Sequence, residues 1–454
     1  MSDKNIKLSV SVKLGWAVGE LPVAAYVGLT IGFLLFYSTQ ALGISPWLAG
    51  VVLLIPRLWD AFTDPLMGVI SDRTRTKMGR RRPYLFVGAI IMGLSIMGLF
   101  LAPAEASEMR KALHVLMFYF LASTAITIFD VPYSSMAAEM TDDYRERTSL
   151  MGYKMLAARL GILVVLFAVP FIFSAGENLA SGFRLVGFGF GIFMIVAGVA
   201  SFFLTRNAPR HEKPVDSFNI REEIRAVREN KPFRALWTVF LFQNLAIGAS
   251  ATMLLYLLTM VIRLQPEMIG WFMAVSAITA TIATPIWVAI GKRIPKRKGY
   301  FFAIAMSILA PFPVLFIQPE AYIMMFAILI FIGAGDAAGQ LFPNAMVPDT
   351  VEVDELRTGE RREGAVFGAW AFCRKLGMTG GAFLASLLLS GFGFVEGAPG
   401  EQQPESALMG VRMTYALLPM ALWAIAFLLL NRYKLSEKEF NAVKAEIAGR
   451  KATV

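Results

Sequence analysis

The chain has 454 residues, 56% of them hydrophobic and 17% charged. Soluble proteins of ordinary composition carry about 25% charged residues, so the deficit excludes a water-surrounded globule and asks for a bilayer. The formal net charge of +10 does not mark a nucleic-acid binder, because the basic residues are sorted by side of the membrane.

A helix needs roughly 20 mostly apolar residues to cross a hydrocarbon core of about 30 Å. Twelve such runs occur in chain order, near 14–38, 47–70, 84–102, 113–138, 150–174 and 183–204, then 234–262, 267–290, 300–317, 321–347, 365–390 and 409–431. They are too long and continuous for barrel strands, which alternate with period two. In lipid a helix satisfies its own backbone. The expected fold class is therefore an all-α membrane protein of twelve transmembrane helices. The first run exceeds a signal-peptide core and lacks a small-residue cleavage pattern, so it is read as a retained helix.

Lys and Arg crowd alternate connections. Lys4, Lys7 and Lys13 precede the first run; Arg73, Arg75, Lys77, Arg80, Arg81 and Arg82 follow the second; Arg145 and Arg147 follow the fourth. The pattern continues with Arg206, Arg210, Lys213 and Arg221 in the middle, Lys292 to Lys298 after the eighth run, and Arg357, Arg361 and Arg362 after the tenth. The other connections hold chiefly Arg110, Lys111 and Arg263. The positive-inside rule then places both termini in the cytoplasm.

The longest polar stretch between runs, 205–232, contains Pro209, Pro214 and IREEIRAVRENK. It divides the chain into a six-helix bundle over 1–204, a cytoplasmic linker over 205–232, a second six-helix bundle over 233–431 and a cytoplasmic tail over 432–454. The halves echo each other: PLMGVISDRTRTKMGRRRPY (65–84) with PIWVAIGKRIPKRKGY (285–300), and PYSSMAAEMTDDYRER (132–147) with PNAMVPDTVEVDELRTGERR (343–362). Such internal repeats build many secondary transporters, with the solute held near the midplane.

The chemistry lies in buried charge. RLWDAFTDP puts Asp60 and Asp64 at i and i+4, on one helix face. Two buried acids repel unless a cation or proton neutralises them, which specifies a coupling-ion site; salt bridging to Arg57 is the competing reading. TIFDVPY adds Asp130 and Thr127, and Pro132 frees a backbone carbonyl. Carboxylate and hydroxyl oxygens suit a hard cation. Asp72, Arg73, Arg80 and Arg81 form a candidate gating cluster after the second run, and Asp354, Glu355, Arg361 and Arg362 form another after the tenth. AFCRKLG places Arg374 and Lys375 within the eleventh run, where a Lys needs a cavity or a carboxylate.

Other classes find little support. The chain has no G-x-x-x-x-G-K-[ST] phosphate loop, one cysteine, Cys373, and two histidines, His114 and His211, without metal-ligand spacing. No enzyme activity and no cofactor beyond a coupling ion, H+ or Na+, are expected. The partners are a small solute, a monovalent cation and the bilayer, with no nucleic acid, and the protein is expected to work as a monomer.

RLWDAFTDPLMGVISDRTRTKMGRRRPY, FDVPYSSMAAEMTDDYRERTSL and DELRTGERREGAVFGAWAFCRKLG resemble the glycoside-pentoside-hexuronide:cation symporters of the major facilitator superfamily, the group that includes melibiose permeases. The resemblance spans essentially the whole chain. It implies the major facilitator fold with two pseudo-symmetric bundles, in a bacterial inner membrane. It also implies cation-coupled sugar symport, with the cation at Asp60, Asp64, Thr127 and Asp130. Asp130 would also bind the sugar, and Lys375 would support coupling. Two positions depart: melibiose permeases have an Asn where this chain has Thr63, and a sugar-binding Asp in helix one near Ala24. These departures open the choice of ion and solute. Animal lysophospholipid symporters are also similar to this family, so an amphipathic lysolipid is the alternative solute.

The topology is testable with single cysteines in a Cys373→Ala background. Cysteines placed in 205–232 or after Arg432 should resist impermeant reagents added outside intact cells. Labelling of the central segment would overturn the twelve-crossing assignment.

Overall fold

The computed structural model describes residues 8–103, 105–141, 143–209, 227–359 and 362–452. Most of the expected linker, over 210–226, lies outside the described residues, as do Lys4, Lys7, His211 and Arg361. The described chain is helical without strands.

The helices run α1 (Val10–Gly32), α2 (Pro46–Arg73), α3 (Arg82–Leu99), α4 (Glu108–Met140), α5 (Tyr144–Ser174) and α6 (Leu179–Leu204). They continue with α7 (Lys231–Val261), α8 (Pro266–Gly291), α9 (Lys296–Phe316), α10 (Tyr322–Thr358), α11 (Glu363–Gly391), α12 (Glu405–Leu430) and a polar tail helix α13 (Glu437–Ala452). Ten are long and apolar enough to cross a membrane on composition alone. The two long helices that miss this standard are α2 and α11, which carry Arg57, Asp60, Asp64 and Asp72 and Arg374 and Lys375. The sequence DTVEVDELRT, expected after the tenth crossing, continues α10 as helix until Gly359, whose φ of 75° ends it.

Two compact units divide the chain. The first comprises Met1–Ser217 with Gln265–Trp271 and Val395–Ala398; the second comprises Phe218–Leu264, Phe272–Phe394 and Pro399–Val454. In the first unit α3 packs on α4 and α6, α2 on α4, and α1 on α5. Its core gathers Trp16, Leu85, Ala89, Phe129, Tyr133 and Met136. In the second unit α7 packs on α11 and α12, and α9 on α10. Gly248 of α7 meets the backbone at Met378, and Gly381 of α11 meets the carbonyl of Leu245, so a Cβ at either glycine would collide with main chain. Apolar helices in lipid gain by such close approach, since lipid tails offer no hydrophobic drive.

The repeat is stronger in the backbone than in the sequence. The helix before α2 ends in a π-turn, Tyr37–Ala41, and α7 ends in another, Leu257–Val261. Each closes with a 7→1 bond, Ile44 N–H to Ser38 O and Leu264 N–H to Leu258 O, both 2.9 Å. The residue between takes the left-handed conformation, Gly43 at φ 68° and Arg263 at φ 58°, and a proline opens the next helix, Pro46 or Pro266. The stop is one residue wider than the Schellman motif and, like it, favours glycine at its left-handed position.

The pair predicts opposite shifts. No atom lies within 4 Å of a Cβ on Gly43, so Gly43→Val should destabilise by about 1–2 kcal/mol through backbone strain alone. Arg263→Gly should stabilise by up to about 1 kcal/mol. The check is the apparent melting temperature of each purified variant in detergent.

Candidate cation and solute site

Helix α2 presents Asp60 and Asp64 one turn apart to α4, which offers a hydroxyl to each. Ser123 Oγ donates to Asp60 Oδ1 at 2.5 Å, and Thr127 Oγ1 donates to Asp64 Oδ1 at 2.9 Å. Both bonds join residues 63 apart in sequence. A constant offset means that the two helices run parallel, as crossings separated by one intervening helix must.

The two rungs differ in their surroundings. Asp60 is 1% exposed, with Arg57 Nη1 at 3.9 Å from Oδ2. Arg57 is held in turn by Tyr119 Oη at 2.7 Å and Thr30 Oγ1 at 2.6 Å, under the ring of Tyr26. A buried charge persists when it is paired and hydrogen-bonded, so Asp60 has a resident counter-charge. Asp64 is half-buried.

Asp130 bonds along α4 and toward α5. Its Oδ1 accepts from Ser134 Oγ at 2.9 Å, and Ser134 Oγ accepts from Lys154 Nζ at 2.8 Å. Lys154 reaches Glu20 Oε2 at 3.3 Å and lies over the rings of Trp16 and Tyr133. Those rings stack at 5.1 Å, and Trp16 Nε1 donates to the Tyr133 carbonyl. Among the described residues, no three His, Cys, Asp or Glu side chains form a group able to hold a metal ion. Of the four residues expected to form an oxygen cage, Asp64 and Thr127 bond each other, Asp60 bonds Ser123, and Asp130 bonds Ser134. Thr127 and Asp130, three residues apart, bond to different neighbours.

The two departures from the melibiose permeases have structural counterparts. Thr63 Oγ1 donates to the Trp59 carbonyl of its own helix at 3.2 Å, so its hydroxyl proton is spent there. Ala24 is buried against Gly161 of α5, but Glu20, one turn earlier on α1, supplies a helix-one acid. Glu20 and Lys154 lie inside apolar runs, and that misplaced charge is the signal that marks them in sequence. Ser123 and Ser134 carry no such signal, because hydroxyls are common between membrane helices.

The charge clusters at the helix ends are local. Arg80 Nε and Arg81 Nε both reach Glu139 Oε1 at 2.6 Å, and Arg81 Nη2 reaches Asp72 Oδ1 at 2.7 Å. Burial pulls the Arg81 guanidinium below the usual arginine range, against the opposing pull of Glu139 and Asp72. Arg73 is exposed. In the second unit Asp354, 1% exposed, takes Arg357 at 3.0 Å, and Arg357 also meets Glu229 at 3.2 Å. Glu355 is buried, Arg362 half-buried, and Arg361 is outside the described residues. Lys375 is half-buried on α11 beside an exposed Arg374. His114 Nε2 bonds the Gly98 carbonyl, a packing role.

Residues 15–437 match the family model described as MFS/sugar transport protein. The chain is 27% identical over 99% of its length to a Bacillus subtilis (strain 168) protein named uncharacterized symporter YnaJ, covering 97% of that protein. It is 24% identical over 98% of its length to the glucuronide carrier protein homolog of Escherichia coli (strain K12), covering 97% of it. Among solved structures it resembles a D-xylose-proton symporter with TM-score 0.67 at 12% identity, covering 94% of this chain and 98% of that one. Nothing in these comparisons favours a lysolipid solute.

The Arg57–Asp60 contact can be tested by a double-mutant cycle. Arg57→Met strands a buried carboxylate and should cost about 3–5 kcal/mol, while Arg57→Met with Asp60→Asn should recover most of it. Thermal stability of the purified proteins reads both; a double variant no more stable than the single one refutes the pairing.

Proposed function

The chain belongs to the MFS/sugar transport protein family, and on that premise we propose that it is a secondary active symporter, driven by a proton or sodium gradient, of a sugar, glycoside or related polar solute. The observation that carries the coupling is the pair of parallel rungs Asp60–Ser123 and Asp64–Thr127, because it gathers two carboxylates and two hydroxyls within about one turn of α2 and α4. Arg57 balances Asp60, and the monovalent ion takes Asp64 with Thr127.

The solute meets Asp130. Around it Ser134, Lys154 and Glu20 offer donors and acceptors beside the Trp16 and Tyr133 rings, a set suited to a hydroxyl-rich molecule. Helix α4 carries both Thr127 and Asp130, so a shift that optimises one ligand's contacts moves the other's. Such coupling is reciprocal in binding free energy. Pro132 lacks an N–H and leaves the Ile128 carbonyl without its helical donor, which gives α4 a place to adjust. Lys375 supports coupling, as the resemblance implies.

Access alternates as bundle 1–204 and bundle 233–431, joined by 205–232, rearrange. Asp72, Arg73, Arg80 and Arg81, with Asp354, Glu355, Arg361 and Arg362, exchange ion-pair partners as they do so. The bacterial relatives support an inner-membrane location, and the charge asymmetry supports cytoplasmic termini and the 432–454 tail on that side. The protein is proposed to act as a monomer.

Asp64→Asn should abolish gradient-driven accumulation in proteoliposomes while solute exchange across the membrane persists. Calorimetry on the wild type then identifies the ion: solute affinity that falls as pH rises indicates a proton, and affinity tightened by sodium at fixed pH indicates sodium. Affinity indifferent to both, or normal accumulation by Asp64→Asn, refutes symport through this site.

A further inference from the structure

The first unit carries an apolar recess that the ion and solute proposed above leave unused. Leu160, Val164, Phe167 and Phe171 of α5 line it together with Glu267 and Trp271 at the start of α8, and it encloses about 540 Å³. All of these residues fall within the first unit. The volume lies inside the range of roughly 300–1,000 Å³ found for pockets that hold small ligands.

Close packing forms its floor. Gly270 approaches the main chain at Phe167, where a Cβ would come within 3.2 Å of the Phe167 Cα and carbonyl oxygen, and the rings of Phe167 and Trp271 meet edge to face at 4.9 Å between centroids. Away from that contact the walls stand open: Phe171 is 70%, Trp271 64% and Leu160 51% exposed.

Length and polarity both narrow the occupant. Phe171 and Leu160 are eleven residues apart on α5, about 16 Å of helix, which matches half of a hydrocarbon core of about 30 Å. The one charged residue of the lining, Glu267, is exposed, and among the described residues it makes no hydrogen bond or ion pair. Successive crossings alternate in direction, so α8 descends where α5 ascends, and Glu267, three residues before Gly270, lies on the Phe171 side of the floor. The basic connections are at the other ends of these helices, which makes this the outer leaflet. An aromatic belt at the membrane boundary would account for exposed rings, and the dipole of α8 suits an acid in its first turn. Neither accounts for a recess one acyl chain long with a carboxylate at its mouth.

We propose that the recess holds one outer-leaflet phospholipid as a resident ligand that is not transported, with an acyl chain along Leu160, Val164 and Phe171 and a primary ammonium headgroup on Glu267. A primary ammonium donates hydrogen bonds to a carboxylate, whereas a quaternary ammonium has no N–H to donate. An anionic headgroup is repelled by the same acid. Phosphatidylethanolamine has the matching chemistry.

The test uses the full chain purified in detergent, with dioleoyl phosphatidylethanolamine, phosphatidylcholine and phosphatidylglycerol as probes. Native mass spectrometry should show one phosphatidylethanolamine retained per chain at about fivefold lower concentration than phosphatidylglycerol, the most that one exposed ion pair ordinarily contributes. Glu267→Gln should erase that preference, and Glu267→Asp should keep it. In a second arm, phosphatidylethanolamine with a diazirine on its acyl chain should crosslink to peptides containing 160–171 or 266–271, and Val164→Trp, which fills the recess, should lose most of that yield. Crosslinks confined to other peptides overturn the proposal. Equal retention of the three lipids by the wild type, which unselected boundary lipid would give, overturns it as well, and so does a preference that survives Glu267→Gln. Should Val164→Trp fail to fold, the exposed substitution Glu267→Gln still decides.

Discussion

A charge in hydrocarbon survives only beside a counter-charge or a wet surface, and the arrangement of both units follows from that constraint. Arg57 stands beside Asp60, Lys154 beside Glu20, and Lys296 beside Asp349. The first pairing lies within α2, while the other two fix a helix against its neighbour more specifically than apolar packing does, because leucine is as content with lipid as with another leucine. The same constraint explains why α2 and α11 miss the apolarity of the other crossings. Their charges set them apart from the other crossings, and apolar surroundings are what give those charges their force.

Helix α4 concentrates the consequences. Over twelve residues it presents Ser123 and Thr127 to the acids of α2, then Asp130 and Ser134 to the network of α5 and α1. In the proposed function, a stiff element that serves both ligands at different heights is the simplest physical basis for linked affinities. Pro132 sits among these positions, where the helix lacks one backbone bond.

The repeat between the units is most faithful where chain geometry is most demanding. Both units stop their first helix with a π-turn and a left-handed residue, though one uses Gly43 and the other Arg263. The turn persists with an arginine in the glycine position, at a cost of about 1 kcal/mol in strain. The basic turns after α2 and α8 repeat less closely: Arg80 and Arg81 converge on Glu139, whereas Lys296 takes Asp349.

Lengths of apolar runs, the sorting of Lys and Arg, and the i,i+4 spacing of Asp60 and Asp64 are local properties, and each was legible in the residues themselves. So was the family, since its long motifs stand in order along the chain. The misplaced charges Glu20 and Lys154 were visible as well, but not that they pair. Which hydroxyl faces which acid was decided by the register of α2 on α4, a sliding choice between helices 63 residues apart that no local pattern encodes. The link from Asp130 through Ser134 to Lys154 of α5, the bonding of Thr63 to its own helix, and the pairing of Glu20 with Lys154 were settled likewise. A helix's composition fixes that it crosses the membrane, while its rotation and depth against neighbours follow from side-chain packing summed over the whole bundle.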